Sequence, residues 1–246
     1  MLQVPRRTGF SGPTLVRLLA RLTDADAPSP ASSLSSQLSQ WLGWADAIAL
    51  SSALKANAPA TPPASGAAGG TEAQECARVR ATLATAIVED TTLASRRRGP
   101  SRPSALPDPV DAQVDYAVYR QRYLTLQQTM ETAIGNLRAR LRAALSARAP
   151  GVAKLAMVDA VMERVLGARE QTLLGAVPTM LEPHFQRLRQ AEAAALAEAQ
   201  AAGQPAAVRP GTWLGVFRKD MQSVLLAELD IRWQPLEGLL AALQDS

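Results

Sequence analysis

The sequence has little of most things that make chemistry legible. It carries one cysteine, Cys76, and one histidine, His184, among 246 residues. A lone cysteine excludes an intrachain disulfide and suits a reducing cytosol. One Cys and one His, far apart, fall short of the several ligands at defined spacing that zinc needs, so no metal and no cofactor are expected. No motif around either residue pairs them as nucleophile and base. The glycines form no phosphate-binding loop, because no Gly-Lys-Ser/Thr ending follows any of them. Aromatic residues make up only 4 %. Isoleucine and valine number 4 and 15, against 47 alanines and 33 leucines. Sheets draw on β-branched and aromatic side chains, whereas Ala and Leu lose little rotamer freedom in a helix. The ratio excludes a large sheet and predicts an all-α chain. No apolar run reaches the ~18 residues of a membrane-spanning helix. Arg6 and Arg7 precede an apolar stretch as in a secretory leader, but Arg17 and Arg21 interrupt it, which predicts a folded amphipathic helix instead. Lysine is scarce, at 3 against 23 arginines, and the net charge of +4 permits an anionic partner without requiring one.

What is present reads as helices separated by breakers. A small N-terminal helical unit is expected over residues 1–55. Its first helix carries Leu15, Leu18, Leu19 and Leu22, and a second runs through Trp41 and Ile48 to Leu54. Residues 56–71 are rich in Ala, Pro, Gly and Ser and are expected to form a disordered linker. A helix is predicted over 72–95, then an Arg/Pro-rich linker over 96–109. Residues 110–246 should form a long-helix bundle. Its first helix runs toward Pro150 with the stripe Tyr116, Tyr119, Tyr123, Leu126, Met130, Ala133, Leu137. The alternating three-and-four spacing predicts coiled-coil-like packing. Pro150–Gly151 marks a tight reversal, and an elongated antiparallel helical hairpin follows from it. The return helix carries Val152, Leu155, Val158, Met162, Val165, Leu166 and Leu173 and should break or kink at Pro178 and Pro183, and Pro235 should kink the last helix. Leu214, Phe217, Met221, Val224 and Leu225 should face inward from the last helix.

Three features stand out as candidate sites. Trp41 and Trp44, three residues apart, are expected to share one helical face with Ile48, and tryptophan is enriched at interface hot spots. The same residues can equally form the core of the small N-terminal unit. Arg96, Arg97, Arg98 and Arg102 form a cluster able to meet phosphates or anionic lipid, or simply to keep a linker solvated and extended. Arg138, Arg140, Arg142 and Arg148, interleaved with Leu137, Leu141 and Leu145, make a basic amphipathic stretch. It suits a membrane surface or an acidic helix, or one exposed face of a packed helix. No DNA- or RNA-reading module accompanies either group.

Two stretches carry a resemblance. Residues 7–24, RTGFSGPTLVRLLARLTD, and 38–54, LSQWLGWADAIALSSAL, resemble the opening of a bacterial helical family of unknown function, the domain numbered thirty-three forty-eight. The likeness is strongest over residues 7–54, and the layout of a variable linker followed by long helices is similar across the rest. That family has no assigned activity, so the resemblance implies no catalytic residue. It implies a neighbourhood: such genes sit beside an OmpA-like envelope protein and a large membrane-anchored partner with long helical regions. The expectation is therefore a non-enzymatic cytoplasmic adaptor or accessory of an envelope-associated complex. Its long helices would meet another helical protein or a second copy of the chain. The competing expectation is a nucleic-acid or nucleoid-associated protein that uses the arginine-rich segments.

Overall fold

The computed structural model describes residues 13–24, 34–55, 68–93, 114–205 and 208–245. Among them are eight helices and no strand: α1 Thr14–Thr23, α2 Leu34–Trp41, α3 Trp44–Lys55, α4 Ala68–Val88, α5 Tyr116–Ser146, α6 Pro150–Gly175, α7 Val177–Ala201 and α8 Thr212–Gln244. The chain is all-α, as its Ala/Leu excess requires.

The expected boundaries shift where local chemistry overrides composition. Helix α4 begins at Ala68, inside the stretch assigned to the first linker, and residues 56–67 lie outside those described. It stops at Val88, short of the expected 95, because two groups finish it there. Gln222 of α8 donates to the Val88 carbonyl at 3.1 Å. Asp90, 6 % exposed, accepts from the backbone N–H of Thr92 and Leu93 at 3.0 and 3.2 Å and pairs with Arg122 of α5. Helix α5 starts at Tyr116, later than expected, where the Asp115 side chain accepts from the Ala117 N–H at 3.0 Å. Such a cap satisfies one of the donors that a helix start leaves open.

Helices α5 and α8 form the centre. α5 packs on α4, α6, α7 and α8, and α8 also meets α1, α4, α6 and α7. The tyrosine stripe of α5 faces this centre: Tyr116, Tyr119, Tyr123, Leu126, Met130 and Leu137 are all buried. Leu214, Phe217, Met221, Val224 and Leu225 of α8 oppose them, also buried. Phe185 of α7 completes a ring cluster, edge-on to Phe217 at 5.0 Å and to Trp213 at 4.9 Å between centroids. Leu15 and Leu22 of α1 join the same continuous core. Asp24, in the left-handed region at φ 51°, ends α1, and Arg187 of α7 donates to the Leu22 carbonyl and pairs with Asp24 at 3.1 Å.

The break expected at Pro178 is present. The break falls at Ala176, between α6 and α7, with Pro178 in the first turn of α7. There a missing N–H costs nothing. Helices α7 and α8 run on through Pro183 and Pro235. The return helix, α6, meets α5 on one side and α3 on another. It buries Ala153, Ala156, Val161 and Leu174 and leaves Leu155 and Leu173 exposed. The start of α8 is held by a distant carboxylate: Glu192 of α7, itself buried, accepts from the N–H of Gly211 at 2.6 Å and of Trp213 at 2.9 Å. A negative charge there also complements the helix dipole.

Candidate functional site

The two tryptophans do not share a helix. α2 ends at Trp41 and α3 begins at Trp44, with Leu42 and Gly43 between them. Glycine is a poor helix former, and the Asp46 carboxylate sits in the first turn of α3 beside Gly43, where the helix dipole favours it. The tryptophans consequently part. Trp41 is half-buried, with the Arg169 guanidinium of α6 stacked 4.3 Å from its ring centroid. Trp44 is 84 % exposed and Ile48 52 % exposed. Residues 44 and 48 lie one helical turn apart and so share a face. Asp46 and Ala53 lie on another side of α3: Asp46 pairs with Arg164 of α6 at 3.4 Å, and Ala53 is buried. The helix is thus held to the body by one side and presents an aromatic and a β-branched side chain on the other. Arg96, Arg97, Arg98 and Arg102 lie outside the described residues.

A second feature lies inside the bundle. Glu228 of α8 is fully buried and accepts from the Tyr123 hydroxyl at 2.7 Å, the Gln127 amide at 2.9 Å and Arg232 Nε at 2.8 Å. Gln127 also donates to the Leu174 carbonyl at 2.9 Å, tying α5 to α6 and α8. Arg232, 7 % exposed, lies 3.2 Å from Glu131 and 3.7 Å from Glu170. Sequence reasoning missed this network. Its only local trace is the Glu228/Arg232 pair at i,i+4, which on most helices is a surface ion pair.

Three arginines of the basic stretch, Arg138, Arg140 and Arg142, are paired within the chain. Arg138 and Arg142 both meet Asp159 of α6, at 2.6 and 3.1 Å, and both pair with Glu163. Arg140 reaches Glu75 of α4 at 3.3 Å. Burial disfavours the Arg138 charge, but its hydrogen bond to Asp159 and the charges of Asp159, Glu163 and Glu170 outweigh that and raise its pKa. Arg138 and Arg142 fasten the α5–α6 hairpin, and Arg140 ties α5 to α4. Between the two networks a cleft of about 320 Å³ opens, lined by residues of α5, α6 and α8.

The remaining candidates are structural. His184 is buried, 2.9 Å from Asp220 of α8 and beside Phe217. Cys76 is buried in the core, which, with the Glu75 charge, raises its thiol pKa. Among the described residues no group of three His, Cys, Asp or Glu side chains could hold a metal ion, and no helix is long and apolar enough to cross a membrane.

The buried hydroxyls fix an alkaline limit. Burial, then the charge and hydrogen bond of Glu228, raises Tyr123 well above the ordinary 10.0. Burial, then the Glu182 charge, does the same for Tyr116, whose hydroxyl donates to the Pro178 carbonyl. The unfolded chain ionises these groups near their ordinary value while the folded chain keeps them neutral. Their contribution to stability is therefore complete below pH ~10 and is lost above it, at about 1.4 kcal/mol per pH unit for each tyrosine. The Cys76 thiol acts with the same sign, starting from 9.0. Melting temperatures measured across the alkaline range should hold steady and then fall steeply, and Tyr123→Phe should flatten the fall. An unchanged slope in that variant would contradict the assignment.

A family described as Protein of unknown function (DUF3348) matches the chain over residues 1–245. No curated protein and no solved structure matches it.

Proposed function

The chain belongs to the DUF3348 family, and from that premise and the surface of α3 we propose that it is a non-enzymatic helical interaction protein. Its docking element is the outer face of α3, and its partner is another helical protein. The observation that carries this reading is the 84 % exposure of Trp44, one turn from the half-exposed Ile48, on a helix whose other side is already packed on α6. Tryptophan left in water on an ordered helix is a large apolar area waiting for a cover. Half-buried Trp41, under Arg169, borders the same element. The family resemblance supports a place in the bacterial cytoplasm, as an adaptor or accessory of an envelope-associated complex.

Affinity capture of the full chain from native cells, followed by mass spectrometry, tests the reading. Envelope-complex subunits are the expected catch, and Trp44→Ala should abolish it. Because Trp44 contributes little to the core, that variant should keep its helix content and lose no more than about 0.5 kcal/mol of stability. Capture that survives the substitution would refute the docking face. A catch that disappears on nuclease treatment would instead assign the interaction to nucleic acid. Substituting Arg96, Arg97, Arg98 and Arg102 by glutamine should then flatten a log–log salt slope of about −3.6, at roughly −0.9 per phosphate met.

A further inference from the structure

We infer that the outer face of α3 takes an amphipathic helix whose apolar stripe is flanked by acidic side chains. The inference rests on the docking reading of α3 and adds the charge of the partner. It starts from how α6 divides its own charges. Asp159, Glu163 and Glu170 recur at helical spacing on one side of α6, where they pair with Arg138 and Arg142 of α5 and Arg232 of α8. Lys154, Arg164 and Arg169 lie about 100° or more around the helix from them, at 3.6 residues per turn. That second side is the one α3 covers: Arg164 meets Asp46, and Arg169 stacks on Trp41. α6 thus turns its carboxylates into the bundle and its cations toward the edge of α3.

Helices α2 and α3 do little to offset those cations. From Leu34 to Leu54 the described chain holds one charged residue, Asp46, and Arg164 already meets it at 3.4 Å. Lys55 adds a positive charge in the last turn of α3. The pairs Asp46–Arg164 and Trp41–Arg169 run in opposite senses along the two helices, so this antiparallel register brings the end of α3 alongside the start of α6, which carries Lys154. Lys55, Lys154, Arg164 and Arg169 therefore stand against the single carboxylate of Asp46 beside exposed Trp44 and Ile48. The Arg164 side chain is 60 % exposed, and neither Arg169 nor Lys55 pairs with a carboxylate among the described residues.

The two parts of this surface contribute differently. Trp44 and Ile48 supply apolar area to bury, the source of affinity. The cations sit at the edge in water, where each pair adds little strength but sets orientation, register and the rate of encounter. An apolar stripe with Asp or Glu beside it satisfies both parts, whereas the same stripe with Lys or Arg beside it is repelled. A second copy of the chain fails on the same ground, because two-fold pairing of α3 with α3 sets this cationic edge against itself.

Selection from a displayed library of single amphipathic helices, randomised beside a fixed apolar stripe, tests the inference. The bait is the full chain, and clones that also bind the Trp44→Ala chain are discarded. The survivors should carry Asp and Glu in excess of Lys and Arg beside the stripe. The tightest survivor, made as a synthetic peptide, should bind at least about tenfold more weakly when Lys55, Arg164 and Arg169 are all changed to glutamine, with circular dichroism confirming the variant's helix content. It should also weaken at least about threefold as salt rises from about 0.05 to about 0.5 M. The variant Arg164→Lys with Arg169→Lys keeps the charge and should bind within about twofold of the unchanged chain. Survivors without an acidic excess would overturn the inference and leave the docking face standing. So would a loss in the lysine variant equal to that in the glutamine variant, which would make the arginines braces of α3 alone. The absence of any Trp44-dependent survivor would remove the inference and the docking reading together. Trp44-dependent dimerisation of the chain alone, or Trp44-dependent binding to phosphatidylglycerol vesicles, would overturn the inference in favour of a second copy or a lipid surface.

Discussion

Replacing Glu228 by alanine is expected to lower the melting temperature by about 10 °C, at roughly 2–4 °C per kcal/mol for a chain of this size. Glu228 is wholly buried and accepts from three side chains at once. Its removal strands Arg232, a buried cation, and breaking a buried pair from one side costs about 3–5 kcal/mol. Arg232 keeps Glu131 and Glu170 nearby, which pulls the cost toward the lower end. The Tyr123 hydroxyl pushes it back up, because Tyr123 is 0 % exposed and a buried donor without its acceptor costs about 1–3 kcal/mol. Glu228→Gln should lose roughly half as much, since an amide oxygen can still accept from Tyr123. The double variant Glu228→Leu with Arg232→Met should lose less than Glu228→Ala alone, because it removes the stranded charge as well as its partner. Calorimetry of the three variants checks the ordering. A fall of less than about 2 °C for Glu228→Ala, under 1 kcal/mol by the same scaling, would show that the network does not hold the bundle together.

The parts of this molecule legible in its sequence are those set by one helix alone. The α5 stripe from Tyr116 to Leu137 repeats at three and four residues, and that spacing buries one side whatever the partner is. The inward face of α8 was readable for the same reason. Groups whose partner is distant in sequence were not readable. Glu192 caps α8 across a loop, and Asp90 ties the end of α4 to Arg122; an isolated carboxylate carries no sign of either. The arginines of α5 sit between these cases. Asp159 lies about as far past the reversal near Arg148 as Arg138 lies before it, so an antiparallel hairpin brings the two together. Periodicity on one strand of sequence saw only the positive charge. α6 defeats single-face reasoning because α5 and α3 cover different sides of it. At the proposed surface, apolar composition singled out the segment that carries Trp41, Trp44 and Ile48. One glycine decided its geometry: Gly43 separates α2 from α3 and sends Trp41 toward Arg169 and Trp44 to solvent.

Phe217→Ala should cost about 3–5 kcal/mol, the range for deleting a fully buried large aromatic, and so lower the urea midpoint substantially with little change in m. Phe217 is 0 % exposed and stands edge-on to Tyr119 at 5.4 Å and to Phe185 at 5.0 Å. Its loss opens a cavity where α5, α7 and α8 meet, walled by rings too bulky to collapse into it. Phe185→Ala should cost a similar amount, since it touches the same rings and Trp213. The two losses should not add. Removing both rings forfeits their mutual contact only once, so the double variant should fall short of the sum by about 0.5–1.5 kcal/mol, the value of an edge-to-face pair beyond area burial. Trp44→Ala belongs in the same series as the contrast: an equally large deletion on a side chain already in water, with an expected change within about 0.5 kcal/mol. A Phe217→Ala loss below about 1 kcal/mol, or strict additivity with Phe185→Ala, would mean that α7 and α8 do not close over α5 through these rings. A loss at Trp44 comparable to that at Phe217 would place Trp44 in the core and remove the exposed face on which the docking proposal stands.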